Sequence, residues 1–288
     1  RKLMDFYTSV SKDHNDIVVR GYKDGKRIKE RIRDYQPTLF VPDSTGKSEW
    51  RTYDGKCVAP LKVGNTRELN VWKERYKDVE NFPIYGYERY TQQWITENFP
   101  PEIEFDFQLF RTGFMDIEVS SEEGFPDPEG ANYPVTAITL WVQGKYYIWA
   151  SQPWENKKNL NAEFFLIQDE KALLDDFIHR WAQLDIDIIT GWNVRFFDLP
   201  YLHNRIAKLC GGDTNKNWSP WGKASMRDTY GSMGKPQKYL NILGIATLDY
   251  IELYKKFTYQ NQESYRLDHI ANVELGTGKL SFEEYGSL

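Results

Sequence analysis

Short runs in which apolar and polar residues alternate fill much of the first hundred positions, and this period of two is typical of β-strands. The predicted strands cover residues 5–10, 16–21, 28–33 and 37–41. Asp24-Gly25 predicts the hairpin turn between the second and third of them. Residues 66–76 carry a partial apolar face at helical spacing, which predicts one helix in this region.

Longer apolar runs and helical stripes follow the Pro100-Pro101 pair. The predicted strands cover residues 110–119, 135–142, 145–150 and 186–190. A helix capped by Asp169 lies between the third and fourth of these strands, and a second helix covers residues 198–210. This order predicts a ribonuclease H-like sheet, in which antiparallel strands come first and a right-handed crossover adds a parallel strand.

We therefore predict an α/β chain of two domains. A smaller, β-rich α+β domain would cover residues 1–107. A ribonuclease H-like domain, with a mixed sheet and flanking helices, would cover residues 108–288.

Composition and charge narrow the class of protein. The chain has 40% hydrophobic and 16% aromatic residues, which favours folded cores over disorder. Its net charge of -5 is unlike that of the basic proteins that coat nucleic acids, but it allows an enzyme that handles DNA through local cations and metal ions. Cys57 and Cys210 are far apart, which predicts neither a thiolate zinc site nor a disulfide framework. No apolar run is long enough to span a bilayer, so a membrane partner is not expected.

Asp116 and Glu118 are two positions apart within the predicted strand 110–119. Side chains two apart point to the same face of a strand, so the two carboxylates should converge while Met115 and Ile117 face the other side. Paired carboxylate oxygens suit Mg²⁺ or Mn²⁺. By itself, an Asp-x-Glu pair fits a solvated strand edge equally well.

Asp198 opens the predicted helix 198–210, a position that fits a helix N-cap as well as a metal ligand. If strand 186–190 lies beside strand 110–119, Asp198 comes close to Asp116 and Glu118. Three carboxylates in one place repel each other, and a divalent cation is the usual remedy. We therefore predict that these three residues are catalytic metal ligands. Two ions about 4 Å apart would activate a water and stabilise a leaving 3′ oxygen.

The spacing Asp116-x-Glu118 followed by Asn193-x-x-x-Phe197-Asp198 resembles the first and second exonuclease motifs of family B DNA polymerases. Further segments look like the replicative polymerases of T-even bacteriophages: Phe125-Pro126-Asp127-Pro128, Thr190-Gly191-Trp192-Asn193, Leu248-Asp249-Tyr250 and Gly278-Lys279-Leu280. The resemblance implies that the chain is the N-terminal and proofreading 3′→5′ exonuclease region of such a polymerase.

The resemblance also implies roles for residues outside the carboxylate group. Phe125, Asn193 and Phe197 would contact the frayed 3′ end of DNA, and Lys279 would approach the scissile phosphate. Residues 225–248 would form the β-hairpin that helps to separate primer from template. In the full enzyme, the implied partners are single-stranded 3′ ends, primer–template DNA, a sliding clamp and other replication proteins, in the cytoplasm of a host cell.

The resemblance is incomplete at the third exonuclease motif of the family, a Tyr followed by an Asp, which does not occur between Lys279 and Leu288. We therefore expect an incomplete metal site and a weak or inactive nuclease. Two other functions fit the same residues. One is a stand-alone ribonuclease H-like nuclease, and the other is a non-catalytic module that binds nucleic acid through its basic and aromatic residues.

Overall fold

The computed structural model describes residues 6–86, 88–120, 126–231 and 234–278. The chain divides into two compact units, Arg1–Phe107 and Gln108–Leu288. In the described parts of the chain, no helix combines the length and the apolar character needed to cross a membrane.

The first unit contains two small antiparallel sheets. One consists of β1 (Phe6–Asp13), β2 (Asp16–Lys23) and β3 (Lys26–Ile32), and the other of β4 (Leu39–Pro42) and β5 (Val58–Leu61). Asp24 and Gly25 both have positive φ, as expected for a two-residue hairpin turn that follows the twist of its strands. The strands and hairpin predicted for this region are therefore present.

Two helices, α1 (Thr66–Tyr76) and α2 (Tyr90–Asn98), complete the first unit. Helix α1 has the predicted bounds. It begins at a capping box in which the Asn65 side chain accepts the backbone N–H of Glu68 while the Glu68 carboxylate accepts that of Asn65. A core made of residues from β2, β4, α1, α2 and the segment after β3 holds the unit together: Ile17, Val19, Tyr35, Leu39, Leu69, Tyr90 and Trp94.

The second unit is built on a six-stranded mixed sheet, which confirms the predicted fold class. Its strands are β6 (Thr112–Val119), β7 (Val135–Val142), β8 (Lys145–Ala150), β9 (Ala162–Leu166), β10 (Ile188–Gly191) and β13 (Ala246–Asp249). They lie in the order β13-β10-β6-β7-β8-β9. Strands β6, β7 and β8 are antiparallel neighbours, whereas β10 runs parallel to both β6 and β13. Two strands, β9 and β13, were not predicted.

Helices α3 (Glu170–Leu184) and α4 (Asp198–Leu209) pack on the face of the sheet that carries Met115 and Ile117. The predicted cap of α3 is present, because the Asp169 carboxylate accepts the N–H of Ala172 at 2.8 Å. The core between sheet and helices is rich in large aromatic residues, including Trp149, Phe177, Trp181, Tyr201 and Trp218. This rigid layer fixes the positions of β6 and α4, the two elements that carry the predicted site.

The remaining elements follow α4. Strands β11 (Ala224–Tyr230) and β12 (Pro236–Ile242) form an antiparallel hairpin within the stretch predicted to be one. Two helices, α5 (Tyr250–Phe257) and α6 (Leu267–Leu275), follow β13.

Candidate active site

Strand β6 presents its side chains alternately to the core and to the open face of the sheet. Met115 and Ile117 are buried, with 4% and 7% of their surface exposed, and they belong to the core. Phe114 and Asp116 are exposed on the opposite face, and Glu118 is half-buried there. Asp116 and Glu118 therefore share one face, as the spacing of two predicts for a strand.

Asp198 lies against this same strand. It is the first residue of α4, and its Oδ1 accepts the backbone N–H of Ile117, the residue between Asp116 and Glu118, at 3.1 Å. The residue in the N-cap position is Phe197. The Asp198 carboxylate is thus used across the fold, 81 positions away in sequence, and does not cap its own helix.

The surroundings of Asp198 disfavour its negative charge. Only 3% of the residue is exposed. Burial raises the pKa of Asp198 well above its usual value, and the negative charges of Asp116 and Asp249 raise it further. Hydrogen bonds from its own backbone N–H and from the Ile117 amide act in the opposite direction and only in part offset these effects.

The loop between β10 and α4 owes its position to two backbone features. A Cβ on Gly191 would lie 2.4 Å from the carbonyl oxygen of Met115, so only glycine allows β10 to lie this close to β6. Asn193 has a φ of 65°, in the left-handed region. Its carbonyl accepts the N–H groups of Phe196 at 3.2 Å and Phe197 at 3.0 Å, which turns the chain into α4.

Two residues of this loop were predicted to contact DNA. Asn193 is half-buried, and its backbone N–H donates to Asp249. Phe197 is also half-buried, and its ring lies 5.7 Å from that of Tyr201 and packs against the core. The structure thus places both residues next to Asp198, and it gives Phe197 a packing role as well.

Asp249 is the residue of this region to which the sequence analysis assigned no role. It ends β13, is 1% exposed and accepts the backbone N–H groups of both Asn193 and Arg195. Burial raises its pKa, and these backbone hydrogen bonds lower it. The available signal was an Asp at the junction between a short strand and a helix, in the N-cap position of α5.

A cleft of about 440 Å³ adjoins Asp116 on the open face of the sheet. Phe114, Trp141 and Tyr146 line it together with Thr139, and they are neighbours across β6, β7 and β8. The Phe114 and Trp141 rings meet edge to face, with centroids 5.4 Å apart. An apolar, aromatic surface therefore borders the acidic one.

Comparison with known proteins identifies the family. The model of the family "DNA polymerase family B, exonuclease domain" matches residues 97–270. The chain belongs to this exonuclease family.

Its similarity to individual polymerases extends beyond the family model. The chain is 30% identical, over 98% of its length, to the DNA-directed DNA polymerase of Escherichia phage RB69, and 28% identical, also over 98%, to that of Enterobacteria phage T4. It is 29% identical, over 54% of its length, to the DNA polymerase delta catalytic subunit of Plasmodium falciparum. The resemblance to T-even phage polymerases is confirmed. The chain spans about a third of the length of the two phage relatives.

Exonuclease domains of this family generally depend on metal ions. Within the described ranges of this chain, no three Asp, Glu, His or Cys side chains are grouped so that they could hold a metal ion. The donors nevertheless fit a hard divalent cation, because a cation beside Asp198 and Asp116 would offset the effects that raise the pKa of Asp198.

Two further predicted residues, Phe125 and Lys279, lie outside the described residues. Their roles remain predictions from the motifs that contain them.

Proposed function

We propose that this chain forms the proofreading part of a replicative DNA-directed DNA polymerase and removes nucleotides one at a time from the 3′ end of DNA. The observation that carries the proposal is the hydrogen bond from the Ile117 amide to the buried Asp198 carboxylate. It joins the second exonuclease motif to the middle of the first. Similarity to two phage DNA polymerases over 98% of the chain supports the same function.

Asp116, Glu118 and Asp198 would hold a pair of divalent ions, Mg²⁺ or Mn²⁺. When bound, the ions would lower the pKa of a bound water, so that it could attack phosphorus as hydroxide, and would stabilise the negative charge of the leaving 3′ oxygen. The Ile117 amide holds the Asp198 carboxylate beside β6. Burial of Asp198 keeps bulk water from competing for its oxygens.

The DNA strand would lie along the open face of β6. The aromatic cleft next to Asp116 can take up a base, because stacking on aromatic rings tolerates any base. Asn193 and Phe197, which come shortly before Asp198 in the chain, would contact the frayed 3′ end. Phe125 and Lys279 would contact the terminal nucleotide and the scissile phosphate.

In the whole enzyme, residues 1–107 would be the N-terminal domain of the polymerase, and residues 108–288 its exonuclease domain. The β11–β12 hairpin would help to separate primer from template. Primer–template DNA, a sliding clamp and other replication proteins would be the partners, and the host cytoplasm would be the compartment.

The test is digestion of a single-stranded oligonucleotide labelled at its 5′ end, with Mg²⁺ or Mn²⁺ and with chelator as the blank. We expect a ladder that shortens from the 3′ end, with slow turnover, and at least about a hundredfold less product for Asp116→Ala. Asp175→Asn, which changes an exposed acid on α3, is the matched control and should leave the ladder unchanged. Digestion at equal rates by the protein and by Asp116→Ala would contradict the proposal. Internal cuts would instead indicate a stand-alone endonuclease.

A further inference from the structure

The buried carboxylate of Asp249 accepts three backbone N–H groups. Its Oδ1 accepts those of Asn193 at 3.0 Å and Ile251 at 3.1 Å, and its Oδ2 accepts that of Arg195 at 2.9 Å. The bond with Ile251 caps α5. The other two bonds reach the β10–α4 loop, 56 and 54 positions away in sequence. One carboxylate therefore caps a helix and holds a loop of the active site.

The loop requires an acceptor with two oxygens at this point. Because Asn193 is left-handed, the N–H groups of Asn193 and Arg195 both point to the end of β13. An ionised carboxylate only accepts hydrogen bonds, so it satisfies all three donors. An asparagine at position 249 would direct its own NH₂ group at one of these N–H groups and leave that donor without an acceptor.

The held loop leads directly into Asp198. The carbonyl of Asn193 accepts the N–H of Phe197 at 3.0 Å, and the carbonyl of Val194 accepts the N–H of Leu199 at 3.0 Å. These bonds connect the loop to the first turn of α4, which begins at Asp198. A shift of the loop would therefore move the Asp198 carboxylate away from the Ile117 amide.

Arg195 ties the same loop to two further elements. Its Nη1 donates to Glu252 of α5 at 2.9 Å, and its guanidinium lies 4.5 Å from the centre of the Tyr239 ring on β12. The loop is thus fixed from one side by Asp249 and Glu252, which lie three residues apart.

We propose that Asp249 is a positioning residue of the active site, which holds the Asn193–Arg195 turn and thereby places Asp198 against β6 for metal binding. The inference rests on the proposed function, because it concerns the same metal site. It adds a residue that would contact neither the metal nor the DNA.

The experiment compares Asp249→Asn with Asp169→Asn. Both changes remove the carboxylate of a helix N-cap, but Asp169 caps α3 and its carboxylate contacts the Ala172 amide. The measurements are thermal unfolding, Mn²⁺ affinity by calorimetry, and hydrogen exchange of the Asn193 and Arg195 amides without metal. We expect Asp249→Asn to weaken Mn²⁺ binding on the order of 10-fold and to speed exchange of both amides. Asparagine still accepts the Ala172 amide, so Asp169→Asn should change the melting temperature little and leave the Mn²⁺ affinity unchanged.

Unchanged Mn²⁺ affinity in folded Asp249→Asn would overturn the inference. If that variant does not fold, hydrogen exchange of the wild-type protein takes its place. A turn that favours metal binding must in return be stabilised by the bound metal, because coupling between sites is reciprocal. Mg²⁺ must then increase the protection of the Asn193 and Arg195 amides, and unchanged protection would overturn the inference. Failure of the proposed function itself would be recognised separately, because wild type and Asp198→Ala would then bind Mn²⁺ equally well.

Discussion

The carboxylate of Asp198 is almost completely removed from water, at 3% exposure, and lies near two other acidic residues. Its pKa is raised by burial first and by Asp116 second. Ionised Asp198 therefore destabilises the metal-free fold, since unfolding returns the charge to water. A buried carboxylate with a strongly raised pKa is typical of a functional site, and here a bound cation would stabilise its ionised form.

The raised pKa of Asp198 predicts how stability depends on pH without metal. Between its ordinary pKa of 3.8 and its higher folded value, the folded state holds a proton that the unfolded state has lost. The contribution of Asp198 to the free energy of unfolding therefore falls as pH rises through this window. Asp198→Asn cannot lose a proton, so we expect a shallower fall and a higher melting temperature at neutral pH, by about 2–4 °C for each kcal/mol gained.

Thermal unfolding at a series of pH values, in chelator, measures this effect. Asp249 has a raised pKa of the same sign, so some slope should remain in Asp198→Asn. Asp175→Asn should follow the wild-type curve, since that side chain is about half exposed. An equal slope in Asp198→Asn and in the wild-type protein would contradict the account.

At the scale of elements, the site depends on the close contact between β10 and β6. The pairing is parallel and ends with Thr190 opposite Phe114. Gly191, the last residue of β10, pairs with Asp249 of β13 on the other side. This contact sets where the β10–α4 loop starts, and so where α4 can begin.

We predict that Gly191→Ala destabilises the protein by about 1–3 kcal/mol, because its Cβ would lie 2.4 Å from the Met115 carbonyl oxygen, a backbone atom that cannot turn away. Gly212→Ala is the matched control, since a Cβ there has no atom within 4 Å among its neighbours. Urea unfolding of both variants gives the comparison. Equal stability of the two variants would show that β10 and β6 are not this close.

A second prediction concerns the attachment of α4. Arg205 of α4 forms a two-point ion pair with Glu170 of α3, with Nε–Oε1 at 2.8 Å and Nη2–Oε2 at 2.6 Å. Glu170 Oε1 also accepts the N–H of Val135 on β7 at 2.7 Å. The pair therefore joins three elements and is largely shielded from solvent, with side-chain exposures of 12% and 18%.

Arg205→Met keeps most of the apolar stem but leaves Glu170 without its cation, so we expect a loss of about 1–3 kcal/mol of unfolding free energy. Lys216→Met provides the control, because the Lys216–Asp213 pair is exposed and its removal should have no measurable effect. Chemical denaturation measures both. A loss no larger for Arg205→Met than for Lys216→Met would contradict the role given to the ion pair.

At the scale of the whole molecule, the order β6-β7-β8-α3-β10-α4 along the second unit could be predicted because each of these elements has a clear period or stripe. Strands β9 and β13 were missed for the opposite reason. Strand β13 has four residues, two of them Ala and Thr, too short a run to show alternation.

The two acidic residues of β6 could be predicted to share a face, because the period of a strand fixes that relation locally. Whether Asp198 caps its own helix could not be predicted, because a cap and a ligand occupy the same sequence position. The role of Asp249 was hidden for a similar reason. Its partners in the β10–α4 loop are more than fifty positions away, and only the fold brings them together.

The central claim is that Asp116 and Asp198, from elements far apart in sequence, act on the same metal. A double-mutant cycle of Mn²⁺ affinity tests it most directly, with Asp116→Asn, Asp198→Asn and the double variant measured by calorimetry, and Asp175→Asn as control. We predict that each single change weakens binding at least about 10-fold and that the double variant is hardly weaker than either single one. Losses that add independently, or single variants that bind Mn²⁺ like wild type, would contradict a shared site.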